Sequence, residues 1–195
     1  MKNILQIIAV ATFLILVSFT PKNKKTVILD VGHGGTDRGS IHNELSEKDI
    51  VLSIAKKVQD LNKDKQLNLI LTRDIDHFVS LNNRVNLANE KAADLLLSLH
   101  ANYTGKTDVS GFEIFIKENA LTEESLALAK AIETTYPDQI KKRKVTVANF
   151  TVLKNSECPS ALLELGFMSN ESDRNYLTSE DGQWEIAQAI YRAIK

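Results

Sequence analysis

Two histidines and a small set of carboxylates fall at places where a folded chain could bring them together. His33 lies in the turn Gly32-His33-Gly34-Gly35, two residues after the apolar run 26–31. His100 closes the apolar run 94–100, and Glu164 stands near the end of the run 161–167. Asp30 and Arg73 also end apolar runs. Burying charge is costly unless the charge is paired or holds a metal. Ionisable groups at the ends of several apolar runs therefore point to one polar site. Two histidines and a carboxylate can make a catalytic zinc site, with three protein ligands and one position left for water. The carboxylate candidates are Glu47 and Glu44. Glu47 precedes Ile50 and Ile54 by three and seven residues, which puts it on the inward stripe of a helix at its first turn. Glu44, in the preceding loop, competes with it. His42 and His77 sit among polar neighbours and read as surface residues, His42 nearer the cleft. Gly32, Gly34 and Gly35 lack the spacing of a phosphate-binding loop. They read instead as glycines that let backbone approach a metal closely.

The elements that must hold these residues can be read in order. Residues 26–31 form a buried β-type run before a glycine turn. Ser46 can cap a helix, with Asp49 as its box partner, and Ile50, Ile54, Val58 and Leu61 form that helix's apolar stripe. A strand over 67–72 ends at Arg73. Leu81, Val85, Leu87 and Ala88 suggest a second helix. Further strands are expected over 94–100 and 112–116, a helix over 123–135, a β-rich stretch from Val145 to Leu153, a buried strand over 161–167, and helices over 171–178 and 182–194. Strands alternating with helices indicate an α/β fold: a single domain with a mostly parallel twisted sheet and helices on both faces. In such sheets the site lies beyond the carboxyl ends of the strands.

The chain has 195 residues, 43% hydrophobic and 25% charged, enough for one domain with a core of its own. With 24 basic and 25 acidic residues the net charge is −1, so no global basic field exists for nucleic acid. The single cysteine, Cys158, excludes an intramolecular disulfide and a multi-cysteine zinc finger, and it reads as an incidental thiol. Lys2 precedes an apolar run over residues 4–19, and Lys22, Lys24 and Lys25 follow it. This is the plan of a signal peptide or an N-terminal membrane anchor over residues 1–20, with a linker over 21–25 and the folded domain over 26–195. The protein is expected to be exported, periplasmic or extracellular, and tethered to the cytoplasmic membrane through residues 4–19 if the run is not cleaved.

Several motifs occur in order along the domain. Residues 30–40 read Asp-Val-Gly-His-Gly-Gly-Thr-Asp-Arg-Gly-Ser, followed by Glu47-Lys48-Asp49, Leu71-Thr72-Arg73-Asp74 and the segment 81–89. Ser98-Leu99-His100-Ala101-Asn102, Gly111-Phe112-Glu113 and the segment 159–170 complete the set. Taken together they resemble the zinc-dependent N-acetylmuramoyl-L-alanine amidases, and the likeness runs from Thr26 to Lys195. The resemblance implies one zinc ion (Zn2+) per chain held by His33, Glu47 and His100, with Glu164 as the catalytic glutamate. It implies hydrolysis of the amide between the lactyl group of N-acetylmuramic acid and L-alanine of the peptidoglycan stem peptide. Arg73 and Asn102 are candidate substrate-binding residues; Arg84, on a helix, reads as structural.

The segment 117–147 is short, so the cleft is expected to stand open rather than under a covering helix. The partner expected is peptidoglycan or a muropeptide; no activator protein is identified by the residues. Two other functions compete: a peptidoglycan-binding relative without turnover, and a zinc peptidase or deacetylase acting on another exported substrate.

Overall fold

Val27, Ile28, Leu29 and Val31 are all fully buried, and the strand that carries them, β1 (Thr26–Val31), lies inside a six-stranded sheet. The computed structural model describes residues 24–119 and 121–195. The apolar run 4–19 lies outside them. Among the described residues no helix is long and apolar enough to cross a membrane.

After β1 the chain makes a two-residue hairpin, β2 (Ile41–His42) and β3 (Leu45–Ser46), then α1 (Glu47–Leu61). There follow β4 (Asn68–Leu71), α2 (Leu81–Glu90), β5 (Leu95–Asn102), β6 (Glu113–Ile116), α3 (Thr122–Thr135) and β7 (Thr146–Val147). The chain ends with α4 (Thr151–Lys154), β8 (Ser160–Phe167), α5 (Glu171–Thr178) and α6 (Glu180–Ile194). The sheet order is β4-β1-β5-β8-β6-β7. Every pairing is parallel except β6 with β8. The expected α/β class and mostly parallel sheet are therefore what the chain adopts.

Both faces are covered. Val27, Leu29 and Val31 alternate toward one face, where they join Ile50, Ile54 and Val58 of α1 and Ile186 and Ile190 of α6. Ile28 and Leu96 point the other way and meet Ala88 of α2. Val85, Val152, Leu153 and Leu162 continue that second face. Removing a buried aliphatic side chain such as Ile54, which is fully enclosed, costs about 2–5 kcal/mol. The central strands are thus rigid supports for whatever stands at their ends.

Three local readings differ from the structure. Ser46 does precede α1, but its side chain accepts no capping bond from the helix. Its hydroxyl donates instead to the Asp49 carboxylate, so the box is not formed. The β-rich stretch 145–153 keeps only Thr146–Val147 as strand, and Thr151–Lys154 turns into a short helix whose Val152 and Leu153 plug the second core face. The last helix begins at Glu180, where the Ser179 hydroxyl accepts from the Gly182 N–H.

Candidate functional site

The order β1-β5-β8 sets three strands side by side in parallel, so their carboxyl ends lie at one edge. Val31 pairs with Leu99, and His100 pairs with Glu164. His33, two residues beyond β1, therefore reaches the same edge. β6 runs antiparallel and begins there, with Glu113 opposite Glu164. Between His100 and Asn102 the register with β8 slips by one residue, a bulge at which Gly166 takes φ +149. Bulges of this kind re-aim side chains at strand ends.

Glu47 is the first residue of α1 and is buried, while Glu44, at the hairpin tip, is exposed. Of the two carboxylates, Glu47 is the one that lies with His33 and His100. The Ser40 N–H donates to Glu47 Oε2 at 2.9 Å and the Ala101 N–H to Oε1 at 3.0 Å. Oε1 then lies 3.0 Å from His33 Nε2 and 2.9 Å from His100 Nδ1, and the two ring nitrogens are 3.2 Å apart. The imidazoles meet edge-on, at 86°. Donor atoms around a tetrahedral zinc, each about 2.0–2.1 Å from it, stand about 3.3 Å from one another. The three atoms have that spacing. With these nitrogens unprotonated, the two imidazoles and the carboxylate turn three lone pairs toward one point, so the donor set fits a metal ion.

The supports of this cluster are backbone and charge. His33 has φ 59, a strained value for a residue with a side chain. Arg84 holds it there: Nη2 donates to the His33 carbonyl at 2.7 Å and Nη1 to the Val31 carbonyl. Arg84 is itself fixed by Asp30 at 2.7 Å, and Asp30 accepts from Thr72 and Ser98 as well. On the far side of the His33 ring, Nδ1 is 2.9 Å from Asp37. A carboxylate on the outer nitrogen fixes the tautomer and leaves Nε2 free to ligate. Gly32 and Gly39 are required by close approach. A Cβ at Gly32 would lie 2.6 Å from the His100 ring, and one at Gly39 would lie 2.6 Å from Glu47 Oε2.

The cluster tunes its own ionisation. Burial disfavours a charged Glu47, but the hydrogen bonds and charge of His100 and His33 outweigh it and hold the carboxyl far below its usual range. Burial likewise works against a charged His33, and Glu47 and Asp37 outweigh it, raising its pKa. Glu164 behaves oppositely. Burial, opposed by His100 and reinforced by the Glu47 and Glu113 charges, pushes its carboxyl up to about 7. Its Oε2 is buried with no hydrogen-bond partner among the described residues. Buried polar atoms are normally satisfied, so an orphan in a cleft marks a place where a ligand or water belongs.

His33, Glu47, His100 and Glu164 all line one cleft of about 440 Å³, together with Asn102. The Asn102 amide donates to Glu113 at 2.9 Å, and Arg143 pairs with Glu113 at 2.7 Å. Arg73 goes elsewhere. It is 2% exposed and donates to the carbonyls of Val31, Gly32, Lys48 and Ile75. Its role in the structure is to clamp the glycine turn onto α1, because its donors all face backbone rather than the cleft. His42 lines a separate hollow with Asn170, and His77 is exposed. Helix α3 packs on α6, β6 and β8, and among the described residues none of 117–147 lines the cleft, which is open as expected. Cys158 is buried, beside Ser156, and lines no part of the cleft. Asp37 and Glu113 were not singled out as candidates; Asp37, four residues past His33, is the one a search for a carboxylate partner could have found.

Comparison with known proteins identifies the family and agrees with the fold. Residues 27–195 match the family model described as N-acetylmuramoyl-L-alanine amidase. The Bacillus subtilis protein YqiI is 39% identical over 176 residues, covering 89% of this chain and 85% of that protein. The amidase LytC of Bacillus subtilis is 38% identical over 170 residues, covering 86% of this chain but only 34% of LytC. The crystal structure of N-acetylmuramoyl-L-alanine amidase from Clostridium difficile 630 superposes with a TM-score of 0.83 at 33% identity, covering 89% of this chain and 96% of that one. With the family model spanning nearly all of the described fold, the chain belongs to the N-acetylmuramoyl-L-alanine amidases, hydrolases of the cell wall.

Proposed function

We propose that this amidase is zinc-dependent, with His33, Glu47 and His100 as the metal ligands and Glu164 as the group that moves the proton. The observation that carries the reading is the convergence of three ligand atoms, all within 4.8 Å of one another, in the cleft that also holds the partnerless Glu164 Oε2. Zinc in such a site supplies Lewis acidity toward a carbonyl and makes water acidic near neutral pH.

The chain's own groups supply the rest. The Ser40 and Ala101 N–H groups hold Glu47 rigid, so the ligand frame exists before substrate arrives. Asp37 keeps the His33 ring oriented. Glu164 accepts the proton of the water that attacks the lactyl carbonyl, then delivers a proton to the departing alanine nitrogen. Its carboxyl faces the cleft with one buried oxygen unpartnered among the described residues, which places it to carry that proton in both halves of the cycle. The bond broken joins the lactyl carbonyl to the nitrogen of L-alanine; the products are a free lactyl carboxylate and a stem peptide with a free amino terminus.

The substrate lies outside the cytoplasm, and the apolar run over residues 4–19, flanked by lysines, supports export. We assign that run as a signal peptide or tether. Mass analysis of what the protein releases from purified peptidoglycan tests the function. Stem peptides beginning with L-alanine are expected. Fragments cut within the peptide, or deacetylated sugars, would replace the amidase by one of the competing reactions.

A further inference from the structure

Three of the large apolar side chains exposed among the described residues line the cleft: Leu81 at 54%, Tyr103 at 44% and Phe150 at 41% exposure. Phe78, at 56%, lines a narrower hollow against His33 and His100. They come from separate segments: Phe78 and Leu81 around the start of α2, Tyr103 after β5, Phe150 before α4. Exposed apolar side chains gathered around one concavity mark a binding surface rather than chance exposure. Phe150 is also held in place, its ring packed edge-on against Phe115 with centroids 5.3 Å apart. The polar liners other than the ligands and Glu164 are Ser40, Asn102, Asn149 and Thr151, all uncharged, and no Lys or Arg lines the cleft.

That lining discriminates between the two halves of the substrate. A stem peptide carries carboxylates, and no Lys or Arg side chain lines the cleft to receive them. A sugar ring is uncharged, with apolar C–H faces for aromatic side chains and a hydroxyl and acetamido rim for neutral amides and hydroxyls. We infer that Phe150 and Tyr103 seat the N-acetylmuramoyl ring, and that the stem peptide leaves the cleft without a charged anchor. The inference rests on the amidase reading and adds to it which side of the scissile bond is gripped.

The test uses the purified full-length protein and two soluble substrates: an N-acetylmuramoyl-L-alanyl peptide, and the same peptide carrying only the lactyl group. The wild type is expected to show a lower KM for the sugar-bearing substrate. Phe150→Ala and Tyr103→Ala should each raise that KM roughly threefold to tenfold. Their kcat, and both constants for the lactyl peptide, should stay within about twofold, and Phe150→Tyr should restore the preference. Equal losses on both substrates would place the grip on the lactyl-alanyl segment and overturn the inference. So would a wild type that cleaves both with the same KM. A wild type that cleaves neither would instead overturn the amidase reading beneath it.

Discussion

Replacing Gly39 by alanine strikes the ligand frame without removing a ligand. Gly39 has φ +63, the left-handed region, where a residue with a side chain loses about 1–2 kcal/mol. A methyl there would also lie 2.6 Å from Glu47 Oε2 and from His33 Cδ2. Ordinary contact begins near 3.4 Å, so two of the three proposed ligands must move by several tenths of an ångström. Metal sites tolerate errors of about 0.2 Å in ligand distance. Zinc affinity should therefore fall by roughly 10- to 100-fold, the range seen when the supports of a ligand are disturbed. Gly105 provides the control. It too is left-handed, at φ +72, but a Cβ there meets nothing closer than 4.0 Å. Gly105→Ala should lower the melting temperature of the metal-free protein by roughly 3–8 °C, as the same backbone penalty does in Gly39→Ala, and leave zinc affinity unchanged. Competition titration against a chromogenic chelator measures affinity, and scanning calorimetry measures stability. Wild-type zinc affinity in Gly39→Ala, or an equal loss in both variants, would refute the argument that Gly39 is kept for room beside the ligands.

Other consequences follow from the supports. Asp30→Ala leaves Arg84 buried without its carboxylate and should cost about 3–5 kcal/mol in urea unfolding; a change below 1 kcal/mol would show that the pair does not hold the His33 turn. Arg73→Lys replaces a planar fork that reaches four carbonyls by a point charge. Stability should drop while KM for a muropeptide stays within about twofold, whereas a large KM rise with unchanged stability would restore Arg73 to substrate binding. Glu164 has its carboxyl raised from 4.5 to about 7, so in the metal-free protein its contribution to stability is present below pH 4.5 and lost as pH rises through 7. Relative to Glu164→Gln, the metal-free wild type should therefore lose roughly 3 kcal/mol between pH 4 and pH 8. A difference that is flat with pH would mean that burial does not set this group's ionisation.

Much of the site was legible because parallel strands put their carboxyl ends at one edge. His33, His100 and Glu164 needed only three runs to be recognised as buried strands, and their adjacency then followed from the sheet. Glu47 was harder. Its helical phase pointed inward, but whether Glu44 or Glu47 entered the cleft depended on the hairpin Ile41–Ser46, whose short strands leave little signal. Arg73 misled because a strand-end arginine looks the same whether its donors meet substrate or backbone carbonyls; only the path of the glycine turn decides. Residues 149–154 have β-prone composition, yet Val152 and Leu153 fill a gap beneath α2 and β8 only when that segment turns helical. Packing there overrides local preference. Ser46 precedes the helix without capping it: its hydroxyl donates to Asp49 and accepts no N–H of the first turn.

We propose that His33, Glu47 and His100 hold a zinc ion while Glu164 performs proton transfer. Elemental analysis of wild type and Glu164→Gln, paired with their turnover on purified peptidoglycan, tests it most directly. One zinc per chain in both proteins is expected, with turnover reduced at least 100-fold in the variant. Loss of zinc in Glu164→Gln would make Glu164 part of the metal frame. A metal-replete wild type that turns over substrate without zinc would contradict the account at its root.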